Sequence, residues 1–280
     1  MPIDSSPRYL TKNQLVQMKN SCFTFLILAS IFIPSSSFAY GVTPVKISLD
    51  RDSSSQDLEI NNDSPTEKLR LQIDTYSWQQ NSKGETLLTP TREVVAFPAL
   101  LEIPPNTKRT VRVGVRVPPG VAEKTYRVIV KQLKNPTVGQ VSDVPKRQGN
   151  LSFLLNMSLP VYVNPINASK KAELESGTLT DGKLLFTVAN TGNVRVEPGE
   201  ASLQALTANG TVVGETKIAL GSILANVKRE FILDLPQSQC AKIRSITIDA
   251  TNSKDSNQRI GTLKTTVATP SGVCYHAGKK

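Results

Sequence analysis

The chain has 280 residues with 33 Lys+Arg against 23 Asp+Glu, room for one large domain or two ordinary ones. Its three cysteines, one histidine (His276, near the end) and scattered glycines argue against metal sites, a Ser-His-Asp or Cys-His device and a phosphate loop, so no metal, cofactor or catalytic residue is expected. The composition points away from an enzyme and toward a binding or structural protein.

The first elements are an address. Residues 23–33 are apolar, Lys12 and Lys19 precede them, and Ser37 and Ala39 supply a small-x-small exit. This is the pattern of a secretory signal peptide over residues 1–39, with cleavage after Ala39. Eleven apolar residues fall short of the roughly 20 that span a bilayer, so a retained membrane anchor is the lesser reading. Met18 opens a more ordinary signal than Met1 does. Cleavage removes Arg8, Lys12, Lys19 and Asp4 and leaves the chain basic, which favours solubility or the steering of acidic partners. It also leaves Cys240 and Cys274, an even count in an exported chain, which suggests one disulfide rather than two buried thiols.

From there on, short alternating runs bounded by Pro, Gly, Asn, Asp and Ser predict strands over Val42–Leu49, Asp57–Asn61, Leu69–Trp78, Val94–Phe97, Lys108–Val117, Thr125–Gln132 and Leu151–Val163. In Leu69–Trp78, Leu69, Leu71 and Ile73 share one face and Arg70, Gln72 and Asp74 the other. Trp78 and Tyr126 are expected in the core, Tyr126 with its hydroxyl bonded. Seven strands in about 120 residues is the count of an immunoglobulin-like sandwich. Leu133–Asn150 is polar and reads as a long loop. Asn164–Ser169 reads as a hinge, after which strands resume at Leu184–Ala189, Val194–Leu206, Thr211–Ala219, Glu230–Leu235, Ile243–Asp249 and Ile260–Val267, with Asp181-Gly182, Asn190-Thr191-Gly192 and Asn209-Gly210 as turn signals. The expectation is an all-β chain of two sandwich domains, 40–164 and 165–280, joined by a short hinge.

Three segments resemble the periplasmic pilus-assembly chaperones of the chaperone–usher pathway. They are Phe97–Val113, where prolines 98, 104 and 105 precede a basic alternating strand; Glu123-Lys124-Thr125-Tyr126-Arg127-Val128; and Leu151–Pro165 with its Ser158-Leu159-Pro160-Val161. The last is most similar to the archaic, spore-coat-U-associated branch. The resemblance implies two immunoglobulin-like domains in a boomerang arrangement, no catalysis, and a periplasmic protein. Its partners would be pilus subunits that lack a C-terminal strand, and an outer-membrane usher. Nucleic acid and membrane insertion are not expected. The alternatives are a secreted structural pilus or adhesin component, against which Tyr40–Thr43 is too short for a donor extension, and a ligand-binding module, which would carry more aromatics.

Under this resemblance the functional element is the strand from Leu151. Leu151, Phe153, Leu155, Met157 and Leu159 alternate on one face, and an edge strand of that kind completes an open groove in a client by main-chain hydrogen bonds. The same pattern on its own describes a core strand, and Met157 and Leu159 are divided between the two roles. So apolar an edge also invites capping in the free protein, by a homodimer partner or by the 133–150 loop. The resemblance assigns Lys46 as an anchor for the client's terminal carboxylate. The family's second basic anchor falls on Pro160, with Arg70, Arg127 and Lys131 as substitutes. It also implies an interdomain network of Glu123 and Asp249, whose basic member falls on Asn164. Hydrogen bonds, or a basic residue from elsewhere, then hold the domain angle.

Overall fold

Alternation of polar and apolar residues turns into strands along nearly all of the chain. In the computed structural model, residues 40–135, 153–180, 182–235, 240–250 and 261–266 are described. The predicted signal peptide, Leu151 and Cys274 lie outside them.

The first sandwich has two sheets. One holds β1 (Tyr40–Thr43), β3 (Ser55–Asn62), β8 (Thr107–Val115) and β6 (Val94–Phe97), in that order. The other runs β2 (Ile47–Leu49), β10 (Asn156–Val163), β9 (Lys124–Leu133), β4 (Leu69–Gln80), β5 (Thr86–Pro90), and β7 (Leu100–Ile103) also pairs with β4. Inward positions alternate as period two requires: Leu58 and Ile60, Leu71 and Ile73, Val111 and Val113, Val128 and Val130, Leu159 and Val161 are buried in one core. Tyr126 joins them, and its hydroxyl donates to Glu93 at 2.6 Å. Trp78 does not: it packs with Tyr162 and Leu224 in a separate apolar cluster, which corrects its expected place in the sandwich core.

The single strand expected over Val42–Leu49 is two, one in each sheet, because the chain crosses between them at Thr43–Pro44 and Pro44 has no N–H for a ladder. β5 escaped the sequence because all of it is exposed, and β7 because it is only four residues long, with Leu101 and Ile103 alone turned to the core.

The second sandwich pairs a sheet of β11 (Ala172–Thr180), β12 (Lys183–Asn190) and β15 (Lys228–Asp234) with one of β14 (Val212–Ala219), β13 (Glu200–Leu206), β16 (Ser245–Asp249) and β17 (Thr262–Thr266). Leu184, Phe186, Val188, Leu203, Ile246 and Ile248 fill its core, and the Phe186 and Phe231 rings stack 5.0 Å apart. β11 was not predicted. A register shift between Leu174 and Ser176 breaks its alternation. The expected strand Val194–Leu206 is a lone bridge, Val196 to Ile223, followed by β13, since Pro198 and a left-handed Gly199 (φ 81°) interrupt it.

Candidate functional site

The strand β10 is paired on one side along its whole length and on the other for three residues only. Asn156 to Val163 run antiparallel to Lys131 to Lys124 of β9. On the opposite edge β2 meets Val161, Tyr162 and Val163 in parallel, and among the described residues no strand continues that pairing toward Asn156. The direction of the backbone groups follows from two bonds. Gln132 N donates to Leu155 O on the β9 side (3.2 Å), and Asn164 N donates to Leu49 O on the β2 side (2.9 Å). Successive residues of a strand point their main-chain groups to opposite edges. The odd residues therefore serve β9, and Asn156, Ser158 and Pro160 face the edge that β2 leaves open. A proline is tolerated at 160 because the N–H it lacks would have pointed to that edge.

Before β10, Phe153 is 81% exposed, Leu154 40% and Leu155 42%. The apolar face thus changes character along its length. Leu159 is buried in this protein's own core and Met157 is half-buried against it, so of the donor face expected from the sequence only Phe153 and Leu155 stand clear among the described residues. Leu151 is not among those described.

Lys46 is exposed, one residue before Ile47, which registers with Val161. It therefore stands beside Pro160 and lines a cleft of about 220 Å³ with Glu123, Asn164, Lys170, Arg195 and Glu197. The three substitutes named for the second basic anchor are elsewhere. Arg70 pairs with Glu102 at 3.1 Å, Lys131 with Asp74 at 2.6 Å, and the Arg127 guanidinium lies 3.9 Å from the Trp78 ring centroid. The cations that accompany Lys46 are Lys170 and Arg195, which the sequence reading did not name. Both lie beyond the hinge, where strand pattern says nothing about what the cleft receives.

Glu123 forms an ion pair with Arg195, its side chain wholly buried, and its Oε2 also accepts from Arg195 N at 3.1 Å. Arg195 in turn lies 3.5 Å from the Tyr162 ring centroid. Of the two ways left open for holding the domains, a charge contributed from beyond the hinge is therefore present, and hydrogen bonds accompany it. Glu123 N donates to Asn193 O (2.8 Å); Asn193 Nδ2 donates to Val121 O (2.9 Å) and Asn167 O (2.7 Å). Gln80 Nε2 donates to Ser222 O (3.0 Å), and Gln80 Oε1 accepts from Leu224 N (3.2 Å). Asn164 lines the cleft but, through its N–H, belongs to the β2 edge. Asp249 stands on β16, in register with Ser202 and Thr262 within the second sandwich; it does not line the cleft. Burial pushes the Glu123 carboxyl above the usual carboxylate range, against the pull of the Arg195 charge. Cys240 is buried in the core of the second sandwich.

Residues 39–169 match the model of the PapD N-terminal domain, pili and flagellar-assembly chaperone. No curated protein sequence matches the chain. Among solved structures, it is similar to one of a chaperone–tip adhesion subunit pre-assembly complex, CsuC–CsuE, from the archaic chaperone–usher Csu pili of Acinetobacter baumannii. The TM-score is 0.51 at 19% identity, over 83% of this chain and 98% of that one. It is also similar to the E. coli chaperone DraB (TM-score 0.47, 15% identity, 81% and 96% covered) and to Salmonella enterica SafA pilin in complex with the SafB chaperone (TM-score 0.46, 14% identity, 83% and 98% covered). The first of these likenesses supports the fold of two immunoglobulin-like sandwiches; the other two carry no weight. Residues 39–169 therefore belong to the PapD N-terminal domain family of pilus-assembly chaperones, and a second sandwich follows them.

Proposed function

We propose that this chaperone captures pilus subunits by donor-strand complementation. The segment Phe153–Met157 adds itself to a subunit's open groove, and the loaded chaperone delivers the subunit to an outer-membrane usher. What carries the reading is the combination of an open main-chain edge at Asn156–Pro160 with two exposed apolar side chains, Phe153 and Leu155, leading into it. Burying each in a groove contributes roughly 1.5–3 kcal/mol. Met157 serves at the margin and Leu151 extends the face. Lys46 takes the subunit's terminal carboxylate in the cleft, where Lys170 shares the lining and Arg195 is engaged by Glu123.

The rest of the reading follows the same reasoning. Residues 1–39 are a signal peptide that sends the chain to the periplasm, 40–164 and 165–280 are its domains, and Cys240 pairs with Cys274. The likeness to the Csu chaperone and the Ser158-Leu159-Pro160-Val161 sequence favour the archaic branch. In the free protein a second copy caps the open edge.

The test is Phe153→Ser with Leu155→Ser, co-expressed with pilus subunits. The variant is expected to stay folded and to co-purify with none, without ATP or metal in either case. A variant that unfolds marks these residues as core, and one that still co-purifies ends the donor reading.

A further inference from the structure

The exposed part of the capture segment starts at Leu155, and the backbone of that residue is held from two directions. Gln132 N donates to Leu155 O at 3.2 Å. In the return direction, where a regular ladder would use the Gln132 main-chain carbonyl, Leu155 N donates instead to the Gln132 side chain, Oε1, at 3.1 Å. The third bond crosses the sandwich. Tyr40 belongs to β1, in the opposite sheet, and its ring is buried in the core; its hydroxyl donates to Leu155 O (3.2 Å) and to Val130 O (3.1 Å). Its phenol is pushed up to about 12 by burial, so the proton stays in place to be donated at any physiological pH.

A buried phenol must find an acceptor, and packing alone explains why it finds one. It does not explain the location. The acceptors are on neighbouring strands, one within β9 and one just outside the first residue of β10, and Phe153 and Leu154 beyond it carry none of these bonds. Regular pairing ends at Asn156, yet the backbone stays in line for one more residue because two side chains substitute for the missing ladder.

We infer that Tyr40 and Gln132 are positioning residues that clamp Leu155, keeping the exposed segment extended and in register with β9 before a subunit arrives. The inference rests on the capture reading proposed above. Its physical content is preorganisation: ordering already present in the free protein is not charged against binding. Release of the clamp lets the chain fray back toward Met157, so capture has to order two more residues.

The variants are Tyr40→Phe and Gln132→Leu in the full chain. The first readout needs no subunit. Exchange of the Leu155 amide, followed residue by residue, is expected to rise about fivefold in each variant, the worth of one ordinary hydrogen bond. The second is the rate at which the chaperone captures a denatured pilin, lacking its N-terminal extension, that the wild type captures on dilution. That rate is expected to fall about fivefold in each variant. Phe153→Ser is the reference and is expected to capture none. Unchanged Leu155 exchange in both variants overturns the clamp. Faster exchange with an unchanged capture rate overturns its positioning role while leaving the capture reading intact. Normal capture by Phe153→Ser overturns the capture reading, and this inference with it. Gln132 is only half-buried, so its variant decides the matter if Tyr40→Phe fails to fold.

Discussion

Asn62 and Asn190 do the same work in the two sandwiches. The buried amide of Asn62 donates to Glu67 O, Ile103 O and Pro104 O, and its Oδ1 accepts from Ser64 N. Asn190 donates to Val194 O, Ile223 O and Leu224 O and accepts from Gly192 N. Each ties together carbonyls from two separate stretches of chain. Asn62→Ala and Asn190→Ala are each expected to cost about 2 kcal/mol, read as a lower denaturant midpoint at unchanged slope. At Glu123 the charge matters. Glu123→Ala leaves the largely buried Arg195 guanidinium, among the described residues, with the more distant Glu197 carboxylate at 3.4 Å, and is expected to cost about 3 kcal/mol. The pH dependence has a definite sign. Because the folded-state pKa is raised, the folded chain holds a proton that the unfolded chain has released from about pH 4.5 upward. Stability from this group is therefore greatest below that window and declines as pH rises through the folded value. Glu123→Gln should lose that decline in a series of melting curves; a variant with the wild-type slope would place the dependence elsewhere. The sequence pointed to Glu123 but not to Arg195. An arginine just before a lone bridge carries no local sign of the carboxylate that it meets 72 residues away along the chain.

Strands whose alternation follows a buried face, such as β4, were legible, and β5, which buries no side chain, was not. Leu69-Arg70-Leu71-Gln72-Ile73 alternates because a core lies on one side of it, and the structure has it so. β5 buries no side chain, so nothing in Thr86–Pro90 distinguishes it from loop. The strand proposed for capture is the instructive case. Its alternation from Phe153 to Leu159 is continuous in sequence, but the environment changes midway, from solvent at Phe153 to core at Leu159. Period two reports a face; it does not report what that face meets. Leu159→Ser is accordingly expected to unfold the first sandwich, whereas Phe153→Ser leaves its melting temperature within a degree or two, since removing an exposed side chain costs under about 0.5 kcal/mol. Equal effects of the two on melting would erase the distinction.

At the scale of the molecule, two sandwiches meet along a seam with an apolar centre, Trp78, Tyr162 and Leu224, and polar contacts on either side of it. Lys46 lines the cleft beside β10, the strand proposed for capture, which is why one lysine is expected to matter. Lys46→Ala should weaken subunit capture about tenfold without altering the fold, the effect of losing one charge-assisted contact of roughly 1.5 kcal/mol, and the remaining affinity should depend less on salt. Unchanged capture would remove it from the anchor role. That two sandwiches exist was readable from strand count and turn signals. How they are fastened was not, because the fastening residues come from opposite sides of the hinge and share no pattern.

The most direct measurement is residue-resolved amide exchange on the purified chaperone, free and bound to a subunit. If the open edge of β10 is the subunit's missing strand, the amides of Asn156 and Ser158, which face that edge, exchange fast in the free monomer, at a concentration too low for a second copy to cap it, and slow sharply in the complex. The amides of Met157 and Leu159, already facing β9, change little. Fast exchange at Asn156 and Ser158 in both states, with protection arising elsewhere, would contradict the account.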